Sequence, residues 1–421
     1  MIRKGIIKKL VFVALALMIA VLPFMALACP SDDGNGGNGD EVKQPLKVGI
    51  SAPYTGKAAA NGRPMGDGAQ DAIKYINEEL GGVEGHQIEL LFRDNTYDSA
   101  KATTIIEEFI SSGALLFATQ SSAMMTASMT RANEAGLPGI VVFSAPNCTQ
   151  PAQHIYASFP DYGDQWIAFV NYYLENIWEG TGKPKMAMHL LANPTGFGAK
   201  AAAEQFADSL GVEIIGYWEH GSTTTSEIDS LTTIKAMNPD VIYISSIPEA
   251  TSVIIRNMVS LSMYPGITVG CGGASFTSAM LQLAGPTLAE GVYGIFPTVG
   301  WNDSATGMAK MTEYLNANHP DDANNLMYIT GWNEGLLIAE ILRLAIINTP
   351  GGGNALTPQL VESNGFKKLS NYDVEGLQSP ASYASGDNRL SKQIKLYQVI
   401  NGQIAVLGDW IDAPYLDYGY E

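Results

Sequence analysis

Three polar residues, Gln120, Ser121 and Ser122, stand between an apolar run, ALLFAT, and a segment of helical period, AMMTASMTRANEAG. A serine at a helix N-cap places its hydroxyl beside free backbone N–H groups at the positive end of the helix dipole, and this arrangement binds small anions. Ordinary capping, which needs only one serine, is the alternative interpretation. A second polar loop, FSAPN at 143–147, ends the next predicted strand at the same sheet edge, where open α/β sheets bind ligands. Together the two loops predict a binding site for a small anion.

A glycine-rich segment, GFGAKA at 196–201, follows a predicted strand, opens a helix and matches GxGxxA, which is typical of dinucleotide sites. The fingerprint requires the strand to run directly into the first glycine, whereas residues 192–195 separate the two here. We therefore expect no cofactor. A secreted enzyme or cofactor protein on the same fold is the alternative, and this segment is its only support.

Other residues typical of catalytic and metal sites are scattered. The five histidines form no HExxH pair, and the sequence has neither a GxSxG motif nor a Walker loop. The three cysteines, Cys29, Cys148 and Cys271, include no CxxC pair and are too few for a disulfide scaffold. The sequence predicts neither an enzyme nor a metal site.

The composition describes a large globular protein. The chain has 421 residues, 46% of them hydrophobic, and this length is typical of two or three domains. Lys and Arg number 24 against 42 Asp and Glu, which gives a net charge of −18. Because a phosphate backbone requires a basic surface, we expect no nucleic-acid partner.

The first 28 residues have a basic start and an apolar middle, which is typical of a secretory signal peptide. A single membrane-spanning helix is the alternative, although Pro23 would disturb it. The run ends in Leu-Ala-Cys29, which resembles a lipobox, so Cys29 is the predicted lipidation site. Residues 29–45 are rich in Gly, Asn and Asp and predict a flexible linker. We expect an extracytoplasmic protein that contacts the membrane through the lipid alone.

From Leu46 onward, β-branched runs alternate with segments of helical period, which predicts an α/β fold with parallel sheets covered on both faces. The predicted strands of the first series are LKVGIS, QIELLFRD, ALLFAT and GIVVFS, and those of the second are KMAMHLL, VEIIGYW, DVIYIS and ITVG. The predicted helices lie at about 64–80, 98–112, 123–135, 197–210, 227–237 and 249–262. Two successive series imply two doubly wound lobes.

After GVYGIF the chain returns to helical patterns at about 304–318 and 327–347. It then continues into QIKLYQVINGQIAVLG, which predicts a hairpin that turns at Asn401-Gly402. Chain order alone does not assign these segments to either lobe.

The chain resembles the branched-chain amino acid type of periplasmic binding protein, the type I solute-binding component of ABC importers, in its lipoprotein form. The resemblance begins at LKVGISAPYTGKAAANGRPMGDGAQDAIKYINEELGG and continues through GLPGIVVFSAP, PTGFGAKAAAEQFADSLG, PDVIYISS, TGWNEGLLIAEILRLAI and YASGDNRLSKQIKLYQVINGQ. It covers essentially everything after the linker. No single motif is decisive, but the ordered set is specific.

The resemblance implies two Rossmann-like lobes joined by three crossovers, with the ligand in the cleft between them. It assigns 46–162 and 298–375 to the first lobe, and 163–297 and 376–421 to the second. It also implies that Ser121 and Ser122, together with Ser144 and Ala145, hold the ligand carboxylate, which suits hydroxyl and backbone donors. We expect a monomer that delivers its ligand to a membrane permease.

Four positions depart from the family pattern. Asn61, Phe197 and Ile247 stand where amino acid binders have tyrosines, and Gly272 stands at the position of the acidic residue that pairs with the ligand ammonium group. A buried ammonium group without a partner costs several kcal/mol. We therefore expect an aromatic or aliphatic acid as ligand first and an apolar amino acid second, the latter if Glu249 or a loop carbonyl substitutes. A ligand sensor without a transport role is a further alternative.

Two features near the cleft have open interpretations. Trp166 and Trp301, near two of the crossovers, could each form an aromatic wall of the site or pack at the hinge. Cys148 and Cys271 fall on loops of opposite lobes, where a disulfide would lock the cleft. We expect free thiols.

Overall fold

The computed structural model describes residues 42–383, 388–414 and 416–420. The predicted signal peptide, Cys29 and the linker up to residue 41 lie outside the described residues. Residues 42–45 are irregular and exposed, and the first strand begins at Leu46. Among the described helices, none combines the length and the apolar character that crossing a membrane requires.

Two β-sheets organise the described chain. The first sheet has five parallel strands in the order β2-β1-β3-β4-β5: β1 (Leu46–Ala52), β2 (Ile88–Asp94), β3 (Leu116–Thr119), β4 (Gly139–Val141) and β5 (Ile155–Ala157). The second sheet has seven strands in the order β12-β11-β10-β9-β8-β6-β7: β6 (Lys185–Leu191), β7 (Glu213–His220), β8 (Val241–Ser245), β9 (Thr268–Cys271), β10 (Tyr293–Phe296), β11 (Gln393–Ile400) and β12 (Gln403–Asp412). The predicted α/β fold with two lobes is confirmed.

Twelve α-helices accompany the sheets in the described residues: α1 (Ala59–Glu78), α2 (Ser99–Ser111), α3 (Ser122–Ala135), α4 (Pro146–Thr149), α5 (Tyr162–Asn176), α6 (Pro194–Leu210), α7 (Ile228–Ala236), α8 (Pro248–Ser260), α9 (Ser278–Ala284), α10 (Met308–Asn318), α11 (Leu326–Ile347) and α12 (Pro358–Asn364). Helices α1 and α11 pack together, as do α2 with α3 and α5 with α6. The eight strands predicted in the two series are all present, whereas β5 was not predicted, because its three residues, unlike those of β4, are not part of a longer apolar run.

The last hairpin turns where the sequence predicts. Asn401 and Gly402 both have positive φ, at 53° and 71°, as a type I′ turn requires. The hairpin joins the second sheet, because β11 pairs antiparallel with β10.

The third crossover lies later in the chain than the predicted boundary at residue 376. The ring of Tyr383 packs against Tyr156 of β5 and against Phe366. Asn388 donates a hydrogen bond to the carbonyl of Ile155 at 2.8 Å. Tyr383 and Asn388 therefore still pack on the first lobe, and the chain returns to the second sheet at β11.

A buried arginine marks this crossover. Arg389 is 4% exposed, and its Nη1 lies 3.3 Å from both carboxylate oxygens of Asp164 and 3.5 Å from Oδ2 of Asp161. Asp161 is the N-cap of α5 and forms a capping box with Asp164. Burial raises the pKa of both aspartates, and the charge of Arg389 opposes that rise. The start of α5 and the third crossover are thus held by one ionic group.

Helices α1 and α11 approach closely at glycines. A Cβ atom at Gly331 would lie 1.9 Å from the carbonyl oxygen of Met65, and one at Gly68 would lie 2.3 Å from that of Tyr328. Both neighbours are backbone atoms, which cannot rotate away. The two helices can therefore hold this distance only without side chains at these positions.

We predict that Gly331→Ala lowers the free energy of unfolding by about 3 kcal/mol, because overpacking forces the two backbones apart. Urea unfolding followed by circular dichroism measures this loss. Gly221→Ala is the matched control, since a Cβ there meets no atom within 4 Å and the change should stay within about 0.5 kcal/mol. Equal effects of the two substitutions would contradict the packing argument.

Candidate ligand-binding site

A small cavity lies where the carboxyl ends of the first sheet's strands meet loops of the second lobe. Twelve residues line it: Pro53, Ala58, Asn61, Met65, Tyr97, Gln120, Ser121, Phe143, Tyr162, Thr195, Ile247 and Ala274. Its free volume is about 20 Å³, room for about one water molecule. The structure thus brings together four of the predicted ligand-binding residues, Asn61, Gln120, Ser121 and Ile247, in a nearly closed cleft.

Ser121 is the N-cap of α3, and its backbone is extended with φ at −144°. Its side chain makes no capping hydrogen bond, although serine at this position commonly makes one. Ser121 lines the cavity, and its side chain is hydrogen-bonded to that of Tyr97. Because the first N–H groups of a helix have no partner within it and the dipole is positive there, this end of the cavity suits an anionic group.

The side-chain amide of Gln120 is hydrogen-bonded to a buried carboxyl group. Its Nε2 donates to Oε2 of Glu334 on α11 at 3.0 Å, and Glu334 is 2% exposed. Burial raises the pKa of Glu334 to about 7, and the hydrogen bond from Gln120 opposes the rise. With its amide nitrogen engaged, Gln120 presents its oxygen as a further polar group of the lining.

Tyr97 occupies a backbone conformation that is uncommon for its residue type. Thr96 and Tyr97 have φ of 50° and 58°, and a non-glycine residue in this region costs about 1–3 kcal/mol. Side chains of the strand end support the turn, since Asp94 Oδ1 accepts from the N–H of Thr96 and Asn95 Oδ1 from that of Tyr97, both at 2.9 Å. The turn directs the Tyr97 side chain into the cavity.

The Tyr97 hydroxyl accepts a hydrogen bond from Nδ2 of Asn193, on the second lobe, at 2.8 Å. Burial raises the pKa of Tyr97, and hydrogen bonds with Thr195, Asn193 and Ser121 oppose the rise. The phenol is therefore protonated at neutral pH. It can donate its proton to an acceptor in the cavity.

Two further hydrogen bonds join the lobes around the cavity. Nδ2 of Asn61 donates to the carbonyl of Ala274 at 2.8 Å. The hydroxyls of Ser122 and Thr195 lie 3.4 Å apart. Each bond joins neutral groups, so each contributes only about 1 kcal/mol to closure.

Six predicted residues lie outside the cavity lining: Ser122, Ser144, Ala145, Trp166, Phe197 and Gly272. The Ser144 hydroxyl donates to the carbonyl of Ala145 at 3.0 Å, and the neighbouring Phe143 reaches the cavity in their place. Trp166 is fully buried in the core of the second lobe, where its indole N–H contacts Sδ of Met186. Phe197, in the first turn of α6, is 42% exposed.

Gly272 also lies outside the lining, and its surroundings explain the missing side chain. A Cβ there would lie 3.2 Å from the hydroxyl of Tyr243. The space that an acidic side chain would need is thus next to a tyrosine of the second lobe's core. Trp301 is half-buried and packs against the hydrophobic core.

The expectation of free thiols is confirmed, since Cys148 and Cys271 are both unpaired and buried. Sγ of Cys148 lies 3.9 Å from the carbonyl oxygen of Ser122. Burial raises the pKa of Cys148 to about 11 and that of Cys271 further. Both groups are protonated at neutral pH.

Tyr97, Tyr162 and Thr195 line the cavity but were not predicted from the sequence, and Phe143 was predicted only as the start of the FSAPN loop. Tyr97 could have been predicted as Ser121 was, from its place at the end of a strand. Residues 95–97 directly follow β2, and the carboxyl ends of neighbouring parallel strands lie at one edge of the sheet. Thr195 lies in the first turn of α6, just after β6. It was not predicted as a site residue, because the adjoining glycine-rich segment was considered only as a cofactor site and rejected. That segment is helical from Pro194 onward, so its glycines form no loop.

The glycines of that segment serve packing. A Cβ at Gly196 would lie 2.2 Å from the carbonyl oxygen of Leu191, and one at Gly198 would lie 3.0 Å from Pro146. Helix α6 therefore lies close to the end of β6 and to the first lobe.

Comparison with known families decides what kind of protein has this cleft. A family model described as periplasmic binding protein matches residues 45–403. This chain belongs to the periplasmic binding protein family. The resemblance to periplasmic binding proteins is confirmed, and the chain is a solute-binding protein; the lipoprotein form stays a prediction. No curated protein sequence matches this binding protein significantly.

Solved structures share the fold. A branched chain amino acid ABC transporter protein from Thermus thermophilus with bound valine has a TM-score of 0.79 at 16% identity, covering 87% of this chain and 96% of that one. A fatty acid ABC transporter substrate-binding protein from Thermomonospora curvata has a TM-score of 0.76 at 19% identity, with coverage of 88% and 92%. A leucine binding protein from Thermotoga maritima has a TM-score of 0.73 at 17% identity, with coverage of 87% and 99%. At these identities the likeness establishes the fold.

We predict that Asn61→Ala shifts this binding protein toward an open cleft, because it removes the bond to Ala274 across the lobes. A net hydrogen bond of about 0.5–1.5 kcal/mol corresponds to a two- to twelvefold fall in the ratio of closed to open molecules. Single-molecule fluorescence transfer between dyes on the two lobes measures that ratio. Asn77→Ala is the matched control, since the Asn77 side chain is hydrogen-bonded to the backbone of Ile88, within the first lobe. A closed fraction equal to that of the control would contradict the prediction.

Proposed function

We propose that this protein is an extracytoplasmic, lipid-anchored solute receptor of an ABC importer that captures a small carboxylate, either an aromatic or an aliphatic acid, in the cleft between its lobes. The observation that carries the proposal is Ser121, which is the N-cap of a 14-residue helix, lines the cavity and makes no capping hydrogen bond with its side chain. Tyr97 adds a second donor from the same lobe. These groups match the charge and the hydrogen-bonding needs of a carboxylate.

The second lobe supports an acid over an amino acid. It contributes Thr195, Ile247 and Ala274 to the lining, and none of these carries a charge. An ammonium group would enter the cavity without an anionic partner in the lining, at a cost of several kcal/mol. A ligand with one negative charge and an apolar body fits better. The fatty acid binder from Thermomonospora curvata is described as binding a ligand of that kind on this fold.

An apolar amino acid is the second candidate, and three oxygen atoms favour it. Among the described residues, Asn61 Oδ1, Gln120 Oε1 and Glu249 Oε2 are buried and accept no hydrogen bond. Glu249 lies in the first turn of α8, just after Ile247, and burial raises its pKa. A ligand ammonium group would supply the donors that these atoms lack. Valine and leucine are the ligands that two of the related structures name.

Delivery to a permease and anchoring through Cys29 complete the proposal. The lipobox at Leu27-Ala28-Cys29 and the polar linker that follows support a tethered receptor. The family supports an extracytoplasmic place for it. Genes for a permease and an ATPase beside this one would support transport, and their absence would favour a ligand sensor.

We predict that benzoate-like or short aliphatic acids raise the melting temperature, with a stabilisation that follows RT ln(1 + [L]/Kd). A thermal-shift panel measures this with the acids, with leucine and valine, and with amines of matched size as controls. The donors on the first lobe should select ligands that carry a carboxylate. Stabilisation by leucine or valine and none by the acids would reverse the ranking, and stabilisation by amines alone would reject the carboxylate site.

We predict that Ser121→Ala weakens binding of the most strongly stabilising acid about ten- to hundredfold, because a hydrogen bond to a charged group contributes about 1.5–3 kcal/mol. Isothermal titration calorimetry measures the dissociation constants. Ser128→Ala is the matched control on the same helix, since its hydroxyl donates to the carbonyls of Met124 and Ala102 and lies away from the cavity lining. Equal affinities in the two variants would show that Ser121 does not hold the carboxylate.

A further inference from the structure

Asp67 converges with two residues that are far from it in sequence, His319 and Asp322, in the first lobe outside the ligand cavity. Asp67 lies on α1, His319 follows the end of α10, and Asp322 ends the short turn after it. One nitrogen or oxygen atom from each residue lies within 4.8 Å of the other two. Among the residues that the structure describes, this is the one cluster of His, Cys, Asp and Glu side chains with such spacing.

The neighbours of the cluster leave it with excess negative charge. Oδ1 of Asp67 accepts from the hydroxyl of Tyr54 at 2.6 Å, and Oδ2 lies 3.5 Å from Nδ1 of His319. A third carboxylate, Asp71, lies 3.7 Å from Nε2 of His319. Arg63, whose side chain is 53% exposed, approaches Asp67 only to 3.8 Å. Three carboxylates thus stand against two cationic side chains, Arg63 beside Asp67 and Lys74 near Asp71.

Asp322 supplies an independent indication of a ligand. The residue is 7% exposed, and its Oδ2 has no hydrogen-bond partner among the described residues. Burial and the charge of Asp67 raise the pKa of Asp322 to about 6. Since a buried carboxylate without a partner is costly, this oxygen requires either a proton or a cation.

We propose that Asp67, His319 and Asp322 bind one divalent cation of the zinc type, with Asp71 orienting His319 from behind. Zn²⁺ takes imidazole nitrogen and carboxylate oxygen at about 2.0–2.2 Å, whereas Ca²⁺ requires six to eight oxygen ligands. Three protein ligands leave the fourth position of a tetrahedral ion open. A carboxylate behind a ligating histidine is the common arrangement at such sites.

The geometry of the cluster allows a cation to reach the site from solvent and to be bound there. The His319 side chain is 31% exposed, and Arg63 and Asp322 also line a groove that opens to solvent between α1 and α9. Tetrahedral bonds of about 2.1 Å place ligand atoms about 3.4 Å apart, so the ligand atoms need to approach one another by at most about 1.4 Å from the 4.8 Å limit. A histidine just beyond the end of a helix can make that adjustment.

The site also adjoins a contact between the lobes. The hydroxyl of Ser278 on α9 donates to the carbonyl of Asn324 at 2.6 Å, two residues after Asp322. A cation that fixes 319–322 would therefore steady one of the surfaces on which the lobes meet. This consequence does not depend on the identity of the ligand in the cleft.

Titration of the purified, tag-free and chelator-treated protein with ZnCl₂ in a calorimeter tests the proposal. We expect one equivalent to bind, with no displacement by equimolar Ca²⁺ or Mg²⁺. His319→Gln and Asp322→Asn should each weaken the dissociation constant about tenfold or more, since even residues behind the ligands matter to this extent. His154→Gln is the matched control, because His154 also pairs with a carboxylate, Glu362 at 2.7 Å, and has similar exposure. It should leave zinc affinity unchanged.

A Co²⁺ titration followed by visible absorption gives a second readout that loss of stability alone would not move. The parent and His154→Gln should show the bands of a tetrahedral nitrogen and oxygen site, and His319→Gln should lose them while its circular dichroism stays unchanged. Zinc binding that is equal in the parent and in Asp322→Asn would overturn the proposal. So would an absence of zinc binding, which would mean that a shared proton neutralises Asp67 and Asp322.

Discussion

The arrangement of the two lobes depends on burying the charge of Arg389 against Asp161 and Asp164. An ion in the protein interior is tolerated only when its partners stand at fixed positions, because losing one partner leaves an uncompensated charge. Asp161 accepts from the N–H groups of Gly163 and Asp164, and Asp164 accepts from the N–H of Leu416. The start of α5, the third crossover and the end of the chain are therefore fixed to one another. Arg389 and its two aspartates thus form a rigid point of connection between the lobes.

The contacts across the cleft have the opposite character. Tyr97 with Asn193, Asn61 with Ala274 and Ser122 with Thr195 are hydrogen bonds between neutral groups. Each exchanges for a bond to water at a small cost in free energy. The ionic interactions of Arg389 lie at the third crossover, and the weaker hydrogen bonds lie across the cleft. The lobes can therefore separate without disturbing the core of either lobe. The free volume of about 20 Å³ means that a ligand with several heavy atoms requires such a separation.

The sequence predicted the sheets well because buried parallel strands leave a local signal, a β-branched run between helical segments. It located Ser121 for a similar reason, since a strand end followed by a helix start is a local pattern. It did not locate Tyr97, whose position depends on two consecutive residues with positive φ. It also offered Trp166 and Phe197 as site residues, although one is in a core and the other is exposed. Side-chain direction depends on packing that no local pattern encodes.

The cluster of Asp67, His319 and Asp322 likewise could not be predicted from local sequence patterns. Asp67 is about 250 residues from His319 and Asp322, which are themselves three residues apart, and the scattered histidines predicted no metal site. The packing of α1 against α10 and α11 brings them together. That packing in turn needs glycines at the crossing of α1 and α11.

The two buried cysteines have a consequence for a protein that works outside the cytoplasm. The thiolate is the form that attacks disulfides and oxidants, and burial keeps both groups protonated and out of reach. The folded chain can therefore carry two reduced sulfur atoms through an oxidising compartment without forming mixed disulfides. Their alkylation by an added reagent would report the moments when a lobe loses its structure.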